Sequence, residues 1–107
     1  EHEATQSIPE LYILEQNYPN PFNPVTTIAF SLPTESKVTL KIYDILGRKV
    51  AVLIDNELVS AGHTLKRWNA GSLSSGVYFY RLKADPQADD GTGSFTITKR
   101  LVLISLC

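Results

Sequence analysis

Catalysis needs titratable or nucleophilic side chains at spacings that let them meet, and this 107-residue sequence holds few such sets. Its two histidines, His2 and His63, lie far apart. Neither has a cysteine, histidine or carboxylate at zinc-ligand spacing. His2 sits in a polar N-terminal segment. His63 follows a turn glycine, where a solvated strand-start residue is the simpler reading. Asp85, Asp89 and Asp90 share a loop with Gly91 and Gly93, and hard cations take oxygen ligands from such loops. Their spacing departs from the EF-hand rule, so a solvated polar loop is expected and calcium is the alternative. No serine lies in a nucleophile-elbow pattern, and the sole cysteine, Cys107, is the last residue, a poor place to organise a nucleophile. These residues assign no enzyme activity, no metal-ligand set and no cofactor.

Aromatic side chains offer binding chemistry instead. Tyr43, Trp68, Tyr78 and Tyr80, displayed on a β-sandwich, could stack sugars as carbohydrate-binding modules of polysaccharide-degrading enzymes do. Burial is the plainer alternative, because aromatics dominate core packing. Nucleic acid is excluded by charge: the net charge is -1, and the longest basic run is Lys99-Arg100. No intrachain disulfide can form, and no apolar run approaches the roughly 20 residues needed to span a bilayer. "EHEATQS" lacks the plan of a secretory signal, so the chain is either cytoplasmic or a piece of a longer one whose signal lies upstream; on the second reading residues 1–9 end a linker and residues 10–107 form one domain. A composition 43% hydrophobic and 20% charged is that of a folded domain.

The elements that must position these residues are strands. Period-two alternation puts Ile28, Phe30 and Leu32 on one face of "TTIAFSL", and Val38, Leu40 and Ile42 on one face of "SKVTLKIYDI". "DILGRK" turns at Gly47, "KVAVLI" is a short β-branched run, "SAGHT" turns at Gly62, and "HTLKRWN" carries Trp68. "GVYFYRLKA" has aromatics at consecutive positions, which predicts a central strand covered on both faces. "FTITKRLVLI" slips in pattern at Lys99-Arg100, predicting a bulge or a change of partner. "LYILEQN" near the start is expected to add a further strand before the proline-rich stretch. About seven short strands with turns between them predict an all-β, antiparallel Greek-key β-sandwich of immunoglobulin type.

One stretch fits no strand. "NYPNPFNP" interleaves Pro19, Pro21 and Pro24 with Asn17, Asn20 and Asn23, leaving Tyr18 and Phe22 as its large anchors. Proline removes a backbone donor and biases its predecessor toward extended geometry, while asparagine folds onto the local backbone. A stiff strap results, suited to guiding the chain into the sandwich and blocking one sheet edge.

These segments together resemble the C-terminal sorting domain, in its type A form, of cargo of the bacterial type IX secretion system. The resemblance is carried by "NYPNPFNPVTTIAFSLP" (Asn17–Pro33), "IYDILGRKV" (Ile42–Val50), "AGHTLKRWN" (Ala61–Asn69), "LSSGVYFYRL" (Leu73–Leu82) and "TKRLVLI" around Lys99. It covers the chain from Tyr18 to Ile104 and implies a non-enzymatic address tag, acting as a monomer. The tag is covalently linked to an upstream cargo, passes through the periplasm, and reaches the outer-membrane surface or the medium. Its implied partners are the outer-membrane translocon and a sortase-like peptidase that removes it. The residues implied in recognition are Gly76, Tyr78, Lys99 and the strand Leu101, Val102, Leu103, Ile104. Gly47, Arg48, Gly62, Trp68 and the strap are implied as structural. Each recognition position has a plainer reading as a strand-start glycine, a core tyrosine or an ordinary last strand. The chain departs from the family's usual basic ending with "SLC", Ser105 to Cys107. Similar motifs occur in the immunoglobulin-like domain of flagellar hook-capping proteins, which keeps a purely structural spacer open as an alternative.

Overall fold

The computed structural model describes residues 10–71, 73–87 and 93–104, so His2, Asp89, Asp90, Gly91 and the Ser105–Cys107 ending lie outside the described residues, as does the linker assigned to residues 1–9. Seven strands run in chain order: β1 (Ile13–Leu14), β2 (Val25–Leu32), β3 (Ser36–Tyr43), β4 (Lys49–Val59), β5 (Gly62–Asn69), β6 (Gly76–Pro86) and β7 (Phe95–Leu103). They form two antiparallel sheets, β1-β2-β5 and β4-β3-β6-β7. The predicted sandwich is therefore the observed architecture.

Alternation decides which residues meet between the sheets. Ile28, Phe30 and Leu32 of β2 face Val38, Leu40 and Ile42 of β3, together with Tyr80, Leu82 and Ala84 of β6 and Leu101 and Leu103 of β7, all of them buried. Burying side chains of this size stabilises by roughly 1.5–3 kcal/mol each. Trp68, from β5, also belongs to this core.

Three expectations need adjustment. β6 is central, between β3 and β7, but only its inner face is covered: Arg81 and Lys83 on the outer face are exposed, and Phe79 is half-buried. Consecutive aromatics do not require a second layer, because Phe79 lies among its neighbours on the open face. β7 carries no bulge at Lys99-Arg100; it pairs with β6 in unbroken register from Phe95 to Leu103. The apparent slip is Lys99 itself, a half-buried inward position on an outermost strand. The irregularities lie instead between β3 and β4, where the register shifts three times and Asn56 takes a φ of +52°. There the short "KVAVLI" run is the start of an eleven-residue strand.

Candidate functional site

The proline strap stitches the two sheets together along one side of the sandwich. Its first part lies on β2: the Glu15 amide donates to Ala29 (2.9 Å), and Tyr18 and Thr27 exchange backbone bonds of 3.0 and 2.9 Å. Its second part lies on β7, where the Phe22 amide donates to the Val102 carbonyl (3.0 Å) and the Ile104 amide donates to the Phe22 carbonyl (2.9 Å). Two side chains extend this contact. Gln16 Nε2 donates to the Arg100 carbonyl at 2.7 Å, and Asn20 Oδ1 accepts from the Val102 amide at 3.0 Å. The outer side of β7 is thus occupied from Arg100 to Ile104, and the expected blocking of one edge is observed.

Donor-poor residues suit this course. Tyr18-Pro19, Asn20-Pro21 and Asn23-Pro24 are cis peptide bonds. The carbonyls of the prolines are used: Pro19 accepts from Asn17 Nδ2 (3.1 Å) and Thr26 Oγ1 (2.9 Å), and Pro24 accepts from the Ala70 amide (2.8 Å). Asn17 is buried, with its side chain also bonded to Thr26 Oγ1 at 3.0 Å. Phe22 anchors the strap in the core, its ring 5.8 Å from that of Trp68. Tyr80 ties the strap from below: its hydroxyl donates to the Glu15 carbonyl (2.6 Å) and accepts from the Asn17 amide (2.9 Å). Burial pushes this phenol up to about 12, against the hydrogen bond from Asn17, which pulls it down.

The β3–β4 turn stands at the same end of the molecule. Gly47, with a φ of +82°, closes it by donating to the Asp44 carbonyl at 3.0 Å. Asp44 organises the turn from its side chain, accepting from the amides of Leu46 and Arg48 at 2.9 Å each and from Arg48 Nε at 2.8 Å. The Arg48 amide, followed by that residue's guanidinium and the Leu46 amide, holds the Asp44 carboxyl below the usual carboxylate range, against a smaller effect of desolvation. Against this turn lies the loop that begins β6, and the two enclose an open depression of about 520 Å³ lined by Asp44, Ile45, Leu46, Arg48 and Ser74–Tyr78. Tyr78 buries its ring and donates its hydroxyl to the Ser74 carbonyl at 2.7 Å. Gly76 has a φ of +157°, at the limit of the range that L side chains avoid, and no atom within 4 Å of an added Cβ.

Every motif that carried the resemblance therefore reaches one end of the sandwich. The strap leads into β2 there, β5 ends there at Trp68-Asn69, and the Asp44–Arg48 turn, the Ser74–Tyr78 loop and the close of β7 complete it. Gly76 pairs with Leu103 and Tyr78 with Leu101. The profile of a family described as the secretion system C-terminal sorting domain matches residues 16–102. The chain belongs to that family. It is a type IX sorting domain, and its kind of sequence marks export toward the cell surface or extracellular space. A sorting domain also implies a cargo protein and a secretion machinery to act on it. The family is not a class of enzymes. No curated protein matches the chain. Among solved structures, the sorting domain resembles CopC from Methylosinus trichosporium OB3b, with a TM-score of 0.56 and 12% identity over 89% of this chain and 95% of that one. At that identity the likeness concerns the fold alone.

Of the residues that the resemblance implies in recognition, Gly76, Tyr78 and Leu101–Ile104 are brought together, whereas Lys99 sits farther along β7, opposite Tyr80. Only Val102 and Ile104 of the closing strand keep surface; Leu101 and Leu103 are core. The sugar platform does not assemble: Trp68, Tyr78 and Tyr80 are buried, and the half-buried Tyr43 lies under the Arg81 guanidinium, 4.6 Å from its ring centre. His63 is exposed and its Nδ1 is 2.8 Å from Ser31 Oγ. Asp85 bonds the Ser94 hydroxyl, and among the described residues no group of three or more metal-ligating side chains gathers. Sequence reasoning missed Gln16 and Asp44, and it read Tyr80 as a sugar-stacking or core aromatic without its bonds to the strap. An Asx turn at "DILGR" was a readable signal for Asp44. Nothing in the sequence marks Tyr80 as the residue under the strap.

Proposed function

We propose that this sorting domain is read by the outer-membrane translocon at the end where its motifs converge, after its cargo has passed through the periplasm, and that a sortase-like peptidase then removes it. The observation that carries this reading is the gathering at one end of the "DILGR" turn and the "SSGVY" loop, which enclose the depression, with the strap and the close of β7, which bond each other. Ile45 and Leu46 at the turn tip are 68% and 72% exposed, and Ile104 is 43% exposed, so this end presents apolar surface that a receptor can cover. Strand addition to β7 at Arg100–Ile104 is not the mode proposed, because the strap already fills those backbone groups. The receptor meets side chains of the turn, the loop and the strap.

The test is export in a bacterium that carries the type IX machinery, with a periplasm-targeted fluorescent reporter fused ahead of residues 1–107. Intact fusions are expected at the surface or in the medium. Ile45→Asp/Leu46→Asp, two exposed positions, is expected to leave a folded fusion in the periplasm. Efficient export of that variant sinks the assigned surface, and periplasmic retention of the unaltered fusion sinks the sorting reading in that host.

A further inference from the structure

Half of the chain's cations stand on the outer face of three neighbouring strands. Lys37, Lys41, Arg81, Lys83 and Arg100 are five of its ten Lys and Arg residues, and the register places all five on the outer face of β3-β6-β7. Lys41 lies directly opposite Arg81, and Lys83 opposite Thr39 and Thr96. Same-face neighbours stand about 5 Å apart across strands and about 7 Å apart along them. Lys41 and Arg81 are like charges directly opposite one another, which destabilises a sheet, so the fold gains nothing from that pair. Asp85 is the one acidic residue that β3, β6 and β7 put on this face; it lies opposite Lys37 at the rim, and its carboxylate takes the Ser94 hydroxyl. Among the described residues, Lys37, Lys41, Lys83 and Arg100 form no ion pair. A chain of net charge -1 has concentrated its positive charge here.

The centre of the face is a shallow groove of about 440 Å³ lined by Thr39, Lys41, Arg81, Lys83 and Thr96. Threonine hydroxyls alternate with the cations, and Arg81 is held in place by Tyr43, whose hydroxyl accepts from its Nη2 and whose ring lies beneath it. We propose that this face binds an anionic polysaccharide: carboxylate or sulfate groups meet Lys41, Arg81 and Lys83, and neutral hydroxyls of the sugars meet Thr39, Thr96 and Thr98. Recognition is by charge and hydroxyl bonding, without an aromatic platform. A lipid surface fits less well, because the groove's own lining is polar throughout and the exposed Val52 and Leu58 lie outside it, on the outermost strand β4. The preference for a glycan over nucleic acid rests on the export that the sorting family implies. Binding itself requires no secretion, so its test stands apart from the export assay.

The experiment measures binding of the purified 107-residue chain to alginate, a polyuronate, with neutral dextran, duplex DNA and anionic phospholipid vesicles as comparison probes. Alginate is expected to bind, dextran not, and affinity is expected to fall as salt rises. Lys41→Gln/Lys83→Gln is expected to weaken alginate binding about tenfold without lowering the melting temperature, since it removes repulsion as well as contacts. Arg67→Glu changes net charge by the same two units from the exposed face of the other sheet, and is expected to bind as the unaltered chain does. Lys37→Gln/Arg100→Gln, at the rim of the groove, supplies a second variant should the first fold poorly, and it is expected to weaken binding too. Failure to bind alginate overturns the proposal. So does an equal loss in Arg67→Glu, retained affinity in both Gln pairs, or tighter binding to DNA or vesicles than to alginate.

Discussion

Phe22 and Val102 are backbone partners: the Phe22 amide donates to the Val102 carbonyl at 3.0 Å, in a parallel bridge centred on Leu103. The family's opening motif and its closing strand are therefore one physical unit. A strap that had only to block an edge could lie loosely along it. This one is fastened at both ends, through Tyr18 to β2 and through Phe22 to β7 and the Trp68 ring.

Truncating that anchor should free both segments. Phe22→Ala removes a ring that is 2% exposed, a deletion that costs about 3–5 kcal/mol in a packed core. The expected outcome is a melting temperature lowered accordingly, with faster hydrogen exchange at the amides of Val102 and Ile104 than at β3 and β6. Uniform acceleration across all strands would mean that the strap is not separable from the global fold.

Tyr80 holds the strap through its hydroxyl alone, so Tyr80→Phe isolates that contact. The Glu15 carbonyl and the Asn17 amide each lose a partner, a loss worth about 1–3 kcal/mol in denaturant unfolding. The same group sets an alkaline dependence. Its pKa in the fold is about 12, above the ordinary value of 10.0, so the fold keeps this proton longer than the unfolded chain. The stabilisation is complete below about pH 10 and drains away as pH rises from 10 through 12. In Tyr80→Phe that part of the alkaline loss should be missing; an unchanged profile above pH 10 would assign it to other groups.

Much of this was legible because two periods were. Alternation in "TTIAFSL" and "SKVTLKIYDI" placed Ile28, Phe30, Leu32, Val38, Leu40 and Ile42 in the core, and "LKRWN" and "VYFY" placed Trp68 and Tyr80 on strands. Period two also hid something. It reports which face a side chain takes, and says nothing of which edge of a strand stays open, so the strap's hold on Arg100–Ile104 could not be read from it. Lys99 misled for the same reason: a lysine at an inward position breaks the pattern in the middle of a sheet but is tolerated on an outermost strand, where its head reaches water. The basic face was hidden too, since Lys37, Lys41, Arg81, Lys83 and Arg100 are scattered in sequence and become neighbours only through register. Motif resemblance supplied what periodicity could not, namely that Gly76, Tyr78 and the closing strand belong together.

Asp44 gives the turn an acid sensitivity. Hydrogen bonds from Arg48 and Leu46 favour its ionised form, so its pKa in the fold lies below the ordinary 3.8. Its contribution is present above about pH 3.8 and is lost as pH falls through the lowered value. Titration of the Asp44 carboxyl carbon by NMR should show the depressed midpoint, and the amide signals of Leu46 and Arg48 should shift with it. Asp44→Asn, which keeps an acceptor oxygen but carries no charge, should abolish that titration and leave the turn closed by Gly47. An Asp44 midpoint at or above 3.8 would count against the observed hydrogen bonding.

Tyr78 separates folding from recognition. Its ring is buried beside Leu101 and its hydroxyl donates to the Ser74 carbonyl, so the residue shapes the loop that borders the depression. Tyr78→Phe keeps the ring and should cost about 0.5–1.5 kcal/mol, the net worth of one hydrogen bond. Tyr78→Ala should cost about 3–5 kcal/mol through the cavity it leaves. If the residue acts by shaping the loop, export of a reporter fusion will follow loop order rather than total stability. Tyr78→Phe should then lower export and raise exchange at the Ser75 and Gly76 amides, while a core variant of equal cost on the far side, Ile28→Val, should not lower export. Equal export by Tyr78→Phe and Ile28→Val would reduce Tyr78 to an ordinary core tyrosine.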